Sequence, residues 1–174
     1  MNFNLSETVD ILKRTPEALS ALLRSTSESW HAIDEGPDTW SAFDIVGHLI
    51  FGEETDWVPR ARIILEHGED RPFESFDRFA QFRLYADVSL DERLDRFAEL
   101  RQTNLETVGS WHLTELQLAR PGRHPELGRV SLQQLLAAWA VHDLNHIAQI
   151  SRVMAQRYTQ DVGAWRAYLG VLTP

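Results

Sequence analysis

At 174 residues and 43 % hydrophobic content, the chain is long enough to bury the core of one ordered domain spanning 1–174, rather than two small ones. A net charge of −9, with the positive residues scattered, excludes the basic footprint that nucleic acid or an anionic membrane surface requires. The absence of cysteine removes disulfides, thiolate metal sites and a cysteine nucleophile together.

Apolar residues at Leu5, Val9, Leu12, Leu19, Leu22 and Leu23 predict a first helix. Thr15-Pro16 predicts a kink in it, or a restart with Thr15 as N-cap, because an interior proline removes an N–H and crowds the preceding turn. A polar loop ends in Gly36-Pro37-Asp38-Thr39-Trp40. Ser41-Ala42-Phe43-Asp44 then reads as a capping box, with aspartate in the glutamate position, opening a second helix. Ile45, Val46, Leu49, Ile50, Trp57, Ala61, Ile64 and Leu65 carry that helix to His67, with a bend expected at Pro59.

The aromatic-rich segment from Phe73 to Tyr85 is less periodic and predicts a short helix plus loop over one end of the molecule. Ser89-Leu90-Asp91-Glu92 is a capping box for a third long helix carrying Leu90, Leu94, Phe97, Leu105 and Val108. The stretch from Trp111 to Arg129 is a long connection with room for a short hairpin, the kind of connection that is often functional. Ser131-Leu132-Gln133-Gln134 caps the last long helix, which is expected to reach Tyr158. Four long amphipathic helices without a strand series predict an all-α fold, a four-helix bundle with a long crossover connection. No apolar run approaches the roughly 20 residues of a membrane span, and the first residues lack a leader pattern, so a cytoplasmic location is expected. A homodimer through an aromatic face is compatible with the sequence, which does not decide it.

The last helix carries the chemistry. Leu135, Trp139, His142, His146, Ile150 and Val153 follow one another at steps of four, three, four, four and three, so both histidines point where core residues point. Two imidazoles one turn apart on a helix can hold one metal ion. They can equally be hydrogen-bonded core residues. His48, near the inward face of the second helix, adds a third imidazole, and Gly52 one turn on leaves space for an open coordination position or for close helix packing.

Trp40-Ser41 leading into Asp44-Ile45-Val46-Gly47-His48-Leu49, followed by Glu54, Trp57 and Arg60, resembles the second helix of DinB-like (DinB/YfiT-type) four-helix proteins, of the metal-dependent hydrolase-like superfamily. The string Gly128-Arg129-Val130-Ser131-Leu132, continuing through Trp139-Ala140-Val141-His142-Asp143-Leu144-Asn145-His146-Ile147-Ala148-Gln149-Ile150, is the stronger match. The region 73–127 matches mainly in character and length. The resemblance implies a bundle whose single divalent metal ion, commonly zinc or nickel, is bound by His48, His142 and His146. It further implies a low-molecular-weight thiol as co-substrate, in S-transfer or isomerisation.

Around those three residues the roles divide. Asp143 and Asn145 are either hydrogen-bond partners of the ligands or solvated. Glu53 and Glu54 are candidates for a base or a further ligand, against the usual solvated fate of a helical glutamate. Arg101 interrupts the stripe between Phe97 and Leu105, where it binds a substrate carboxylate or pairs with a buried glutamate. His124 is either a loop histidine reaching the open metal face or a plain surface residue. The functional expectation is therefore a metal-dependent transferase or isomerase acting on a small molecule with a thiol. The competing readings are a non-catalytic metal-stabilised bundle for ligand sensing, and an interaction module with core histidines.

Overall fold

The computed structural model describes residues 3–172, so the outermost two residues at each end of the expected domain lie outside the description. In chain order the helices are α1 (Leu5–Leu23), α2 (Glu28–His31), α3 (Ala42–Thr55), α4 (Trp57–His67), α5 (Gln81–Leu84), α6 (Leu90–Ser110) and α7 (Glu115–Leu118). A hairpin of β1 (Pro121–His124) and β2 (Gly128–Ser131) leads into α8 (Leu132–Ala155), and short 3-10 turns follow to Leu172. The bundle is made by α1, α3, α6 and α8, with α3 and α1 each packed on both α6 and α8. The long connection between α6 and α8 carries the hairpin, whose antiparallel register pairs Pro121 with Ser131 and His124 with Gly128.

The helix starts follow the expected chemistry. Ser41, Ser89 and Ser131 each close a capping box with Asp44, Glu92 and Gln134 respectively, satisfying backbone N–H groups that the first turn leaves open. Among the described residues no helix is long and apolar enough to cross a membrane.

Two expectations need correction, both concerning proline. No restart occurs at Thr15: α1 runs through Pro16 as one helix, and the Thr15 hydroxyl donates back to the Ile11 carbonyl at 3.4 Å. Pro16 has no N–H to give to the carbonyl of Leu12, four residues earlier. That carbonyl instead accepts from Arg101 Nη1 of α6 at 2.8 Å. The bend expected at Pro59 is a full break three residues earlier, at Asp56, which ends α3 and begins α4. Pro59 cannot donate to the Thr55 carbonyl, so the helix re-forms with proline in its first turn, where the missing N–H is tolerated.

The apolar core forms two clusters, one around Leu19, Leu23, Ile45, Leu49, Phe97 and Ile150, the other around Leu12, Trp57, Ile64, Leu136 and Trp139. One close approach shapes the first. A Cβ on Gly47 would sit 2.9 Å from Arg93 Nη1 and 3.0 Å from Gln81 Cβ. Arg93 is itself fixed there, donating to the carbonyls of Phe43 at 2.8 Å and Val88 at 3.1 Å. Gly47→Ala should therefore destabilise the protein by about 1–3 kcal/mol, the usual range for overpacking, in spite of the ~1 kcal/mol that alanine gains in helix propensity. Gly109→Ala, in α6 with nothing within 4 Å, is the control and should be neutral or stabilising in the same urea titration.

Candidate metal centre

His48 comes from the middle of α3, and His142 and His146 come from consecutive turns of α8. Their orientation is set by packing. The His48 ring lies 4.8 Å from Trp40 and 5.4 Å from Phe76, and His142 meets the edge of Trp57 at 5.1 Å. So held, the three rings converge: His142 Nε2 lies 3.2 Å from His48 Nε2 and 3.1 Å from His146 Nε2. Ligand atoms of all three fall within 4.8 Å of one another.

Hydrogen bonding alone does not account for this arrangement. A neutral imidazole nitrogen carries one proton or one lone pair, so His142 Nε2 can complete only one of its two contacts as a hydrogen bond. Three lone pairs aimed at one cation account for both. Tetrahedral coordination with metal–nitrogen distances near 2.0–2.1 Å brings adjacent ligand nitrogens to about 3.3 Å, close to the observed spacing. The donor set thus fits a divalent transition ion.

Protonation points the same way. Burial pushes His48 down to about 3, helped by the neighbouring His146 and by Arg78. Burial likewise pushes His142 down to about 2, with His146, His48 and Arg101 contributing. His146 is lowered by burial too, opposed by its contact with Gln149, whose Oε1 faces Nδ1 at 2.8 Å. All three rings are therefore neutral ligands at ordinary pH. The Gln149 contact places the His146 proton on Nδ1 and leaves Nε2 free for the metal.

The centre opens into a cleft of about 790 Å³. Trp40, Phe76 and Phe79 form one wall, Gly52, Asp56, Trp57 and Arg60 another, and His124, Asn145, Gln149 and Arg152 complete it. Gly52 leaves room on its side of the cleft: among the described residues beyond its own helix backbone, a Cβ there would meet Trp57 Nε1 at 3.3 Å. Asp56, at the break between α3 and α4, pairs with Arg60 Nε, yet burial pushes its carboxyl up to about 6.

The remaining expected residues separate into two groups. Asn145 and His124 line the cleft. His124 Nδ1 accepts from the backbone N–H groups of Glu126 and Leu127, both at 3.1 Å, so the ring is fixed by its own turn. Arg101, Glu54 and Asp143 do not line it. Glu54 accepts from Tyr85 at 2.6 Å and pairs with Arg96, on the side of α3 facing α6. The expectation that Arg101 could hold a substrate is overturned by its burial, at 1 % exposure. It grips Asp143 through two bonds of 2.6 and 2.9 Å and Glu53 through one of 2.9 Å. Asp143 therefore serves Arg101, and it makes no hydrogen bond to either flanking histidine.

Glu53 is the hub on the other side. Its carboxylate also accepts from Trp139 Nε1 at 2.8 Å and from Asn104 Nδ2 at 2.9 Å. Trp139 stacks on Trp57 at 5.9 Å, and Trp57 touches His142, so the buried cluster reaches the metal centre through two indoles. Asp56 and Arg78 were not singled out from the sequence. Pro59 was the available signal for Asp56, since it dictates where the helix breaks.

The family model of the DinB superfamily matches residues 11–150. The chain belongs to that superfamily. Among solved structures, YfiT from Bacillus subtilis superposes with a TM-score of 0.75 at 19 % identity, covering 87 % of this chain and 86 % of that one. It is described as a probable metal-dependent hydrolase with an unusual four-helix bundle topology. No curated protein matches. The DinB match takes in all three converging histidines, and at 19 % identity the structural likeness establishes the fold.

Two measurements test this DinB site and its support. Arg101→Met leaves Glu53 and Asp143 buried without their cation and should cost about 3–5 kcal/mol in urea unfolding. An effect below 1 kcal/mol would show that the cluster is not structural. In metal-free protein, unfolded histidine takes a proton near pH 6.5, whereas His48 and His142 do so only near 3 and 2. Below pH 6.5 the unfolded chain binds more protons, so stability should fall on acidification, by up to about 1.4 kcal/mol per pH unit for each histidine. Denaturation midpoints of chelator-treated protein between pH 7.5 and 5 read this slope, and His48→Phe/His142→Phe should flatten it.

Proposed function

We propose that the cleft is a metal-dependent active site in which a divalent ion on His48, His142 and His146 activates a small thiol or a water for attack on a bound electrophile. The observation that carries this reading is His142 Nε2 facing two other imidazole nitrogens at 3.1 and 3.2 Å on the floor of an open cleft. The description of YfiT as a probable metal-dependent hydrolase supports it. An all-imidazole set suits zinc or nickel among the biological cations.

When bound, the ion would supply Lewis acidity, lowering the pKa of a coordinated thiol or water. The protein's own contributions follow from the geometry. Neutral histidines leave the ion's double charge uncompensated, and Trp40, Trp57 and Phe76 crowd the rings and keep bulk water from their far sides. Asp56, with its carboxyl near 6, is suited to take and return a proton around neutrality, with Arg60 holding it in place. A chain without cysteine must receive any thiolate from outside, which is consistent with a free low-molecular-weight thiol as co-substrate. A second reading, a metal that only staples α3 to α8, is favoured by the sequence distance between His48 and His142.

Elemental analysis of tag-free protein, with His142→Ala/His146→Ala as control, should give about one transition-metal equivalent that the control loses. Nickel-loaded protein titrated with glutathione should then develop a thiolate-to-metal charge-transfer band. Failure to bind any metal after reconstitution overturns the site. One bound equivalent with neither the band nor turnover of a thiol–electrophile panel overturns the thiol chemistry and leaves the staple.

A further inference from the structure

Three guanidinium groups line the cleft, and they are not equivalent. Arg60 pairs with Asp56, and Arg152 pairs with Glu35 at 2.7 Å. Arg78 has neither an ion pair nor a side-chain hydrogen bond among the described residues. Its guanidinium carbon lies instead 5.9 Å from the ring centres of both Trp40 and Phe79. Contact with aromatic faces steadies a guanidinium without using its N–H donors, so all five remain available to a ligand.

The position of Arg78 gives the ligand its shape. Trp40 is in contact with both Arg78 and His48, so one indole links the unpaired cation to the metal centre. Phe76 lies against His48, and Phe79 at the rim is 54 % exposed, an uncovered apolar surface facing the same cleft. A molecule bridging Arg78 and the histidines would lay its middle along these rings. Charge narrows the class further. Glu35, Asp38, Asp56 and Glu126 outnumber the three arginines by one, and a divalent ion reverses that balance to one positive charge. A monoanion closes it. A dianion would bring a surplus negative charge back into the cleft.

Building on the metal-site reading, we propose that the cleft selects a small monocarboxylate with an apolar or planar body. Its carboxylate is gripped by Arg78, its body lies on Trp40, Phe76 and Phe79, and its far end is presented to the ion. Arg78 is then the specificity residue of the site. It is exposed and makes no hydrogen bond to a ligand histidine among the described residues, so its replacement should leave fold and metal content unchanged.

Calorimetric titration of zinc-loaded protein with 3-phenylpropionate, 3-phenylpropanol and phenyl phosphate tests this. The acid should bind, and Arg78→Ala should weaken it by about tenfold or more, as loss of a charged hydrogen bond does. Arg78→Lys should retain part of the affinity, and Arg14→Ala, an exposed arginine of α1, all of it. The alcohol should bind weakly and equally to wild type and Arg78→Ala. Unchanged affinity for the acid in Arg78→Ala, equal binding of alcohol and acid, or no binding of the acid overturns the proposal. Tighter, Arg78-dependent binding of phenyl phosphate overturns the monocarboxylate assignment. Zinc content is measured separately: protein that takes up none overturns the metal reading, and the same titrations on that protein still decide the role of Arg78.

Discussion

One guanidinium inside the bundle ties its four long helices together. Arg101 on α6 binds Asp143 on α8, Glu53 on α3 and the backbone of Leu12 on α1, and all three charged side chains are at most 2 % exposed. Burying one positive and two negative groups is expensive unless geometry satisfies them; here both carboxylates are satisfied, while of the guanidinium donors Nε alone is left without a partner among the described residues. Bidentate pairing covers both oxygens of Asp143, while Trp139 and Asn104 supply the remaining donors to Glu53. The cluster touches both apolar clusters through Phe97 and Trp139, over whose rings the guanidinium lies. It fixes the angular setting of α3 against α8. Those are the two helices that carry the histidines.

The metal centre inherits that setting. Convergence of three imidazole nitrogens requires α3 and α8 to hold their mutual rotation, since a turn of either helix would swing its ring out of reach. The supports of the rings are aromatic rather than acidic: Trp40 and Phe76 at His48, and Trp57 at His142. Among the described residues, His146 alone of the three has a side-chain amide behind it, and the Nδ1 atoms of His48 and His142 are buried without an acceptor. A carboxylate behind a ligand raises its basicity. Without one, these histidines would be weaker donors to a bound ion, which would then retain more of its Lewis acidity.

Much of this was legible in the chain, for identifiable reasons. Capping boxes are local chemistry, so the starts of α3, α6 and α8 could be read directly from Ser41, Ser89 and Ser131. The inward direction of His142 and His146 followed from helical spacing, because a buried stripe is a property of one helix. What could not be read was whatever depends on two helices meeting. Arg101 interrupting an apolar stripe signalled a buried charge, yet its partners lie 42 and 48 positions away in sequence. Glu54 and Glu53 are neighbours with opposite fates, one turned to Tyr85 and Arg96, the other into the core, and no pattern within α3 separates them. The cleft wall contributed by Arg78 and Phe79 belongs to an irregular segment without periodicity.

Pro16 gives α1 something a regular helix lacks. Along the middle of an uninterrupted α-helix every carbonyl already accepts a backbone N–H, so no unsatisfied acceptor marks one turn from the next for a neighbour's polar groups. By withholding one N–H, Pro16 leaves the Leu12 carbonyl as a single open acceptor on the inner face of α1, and Arg101 takes it. Sliding α1 by a turn would strand both the carbonyl and the guanidinium donor in an apolar interior. A helix otherwise held by interchangeable leucines is thereby given one docking register.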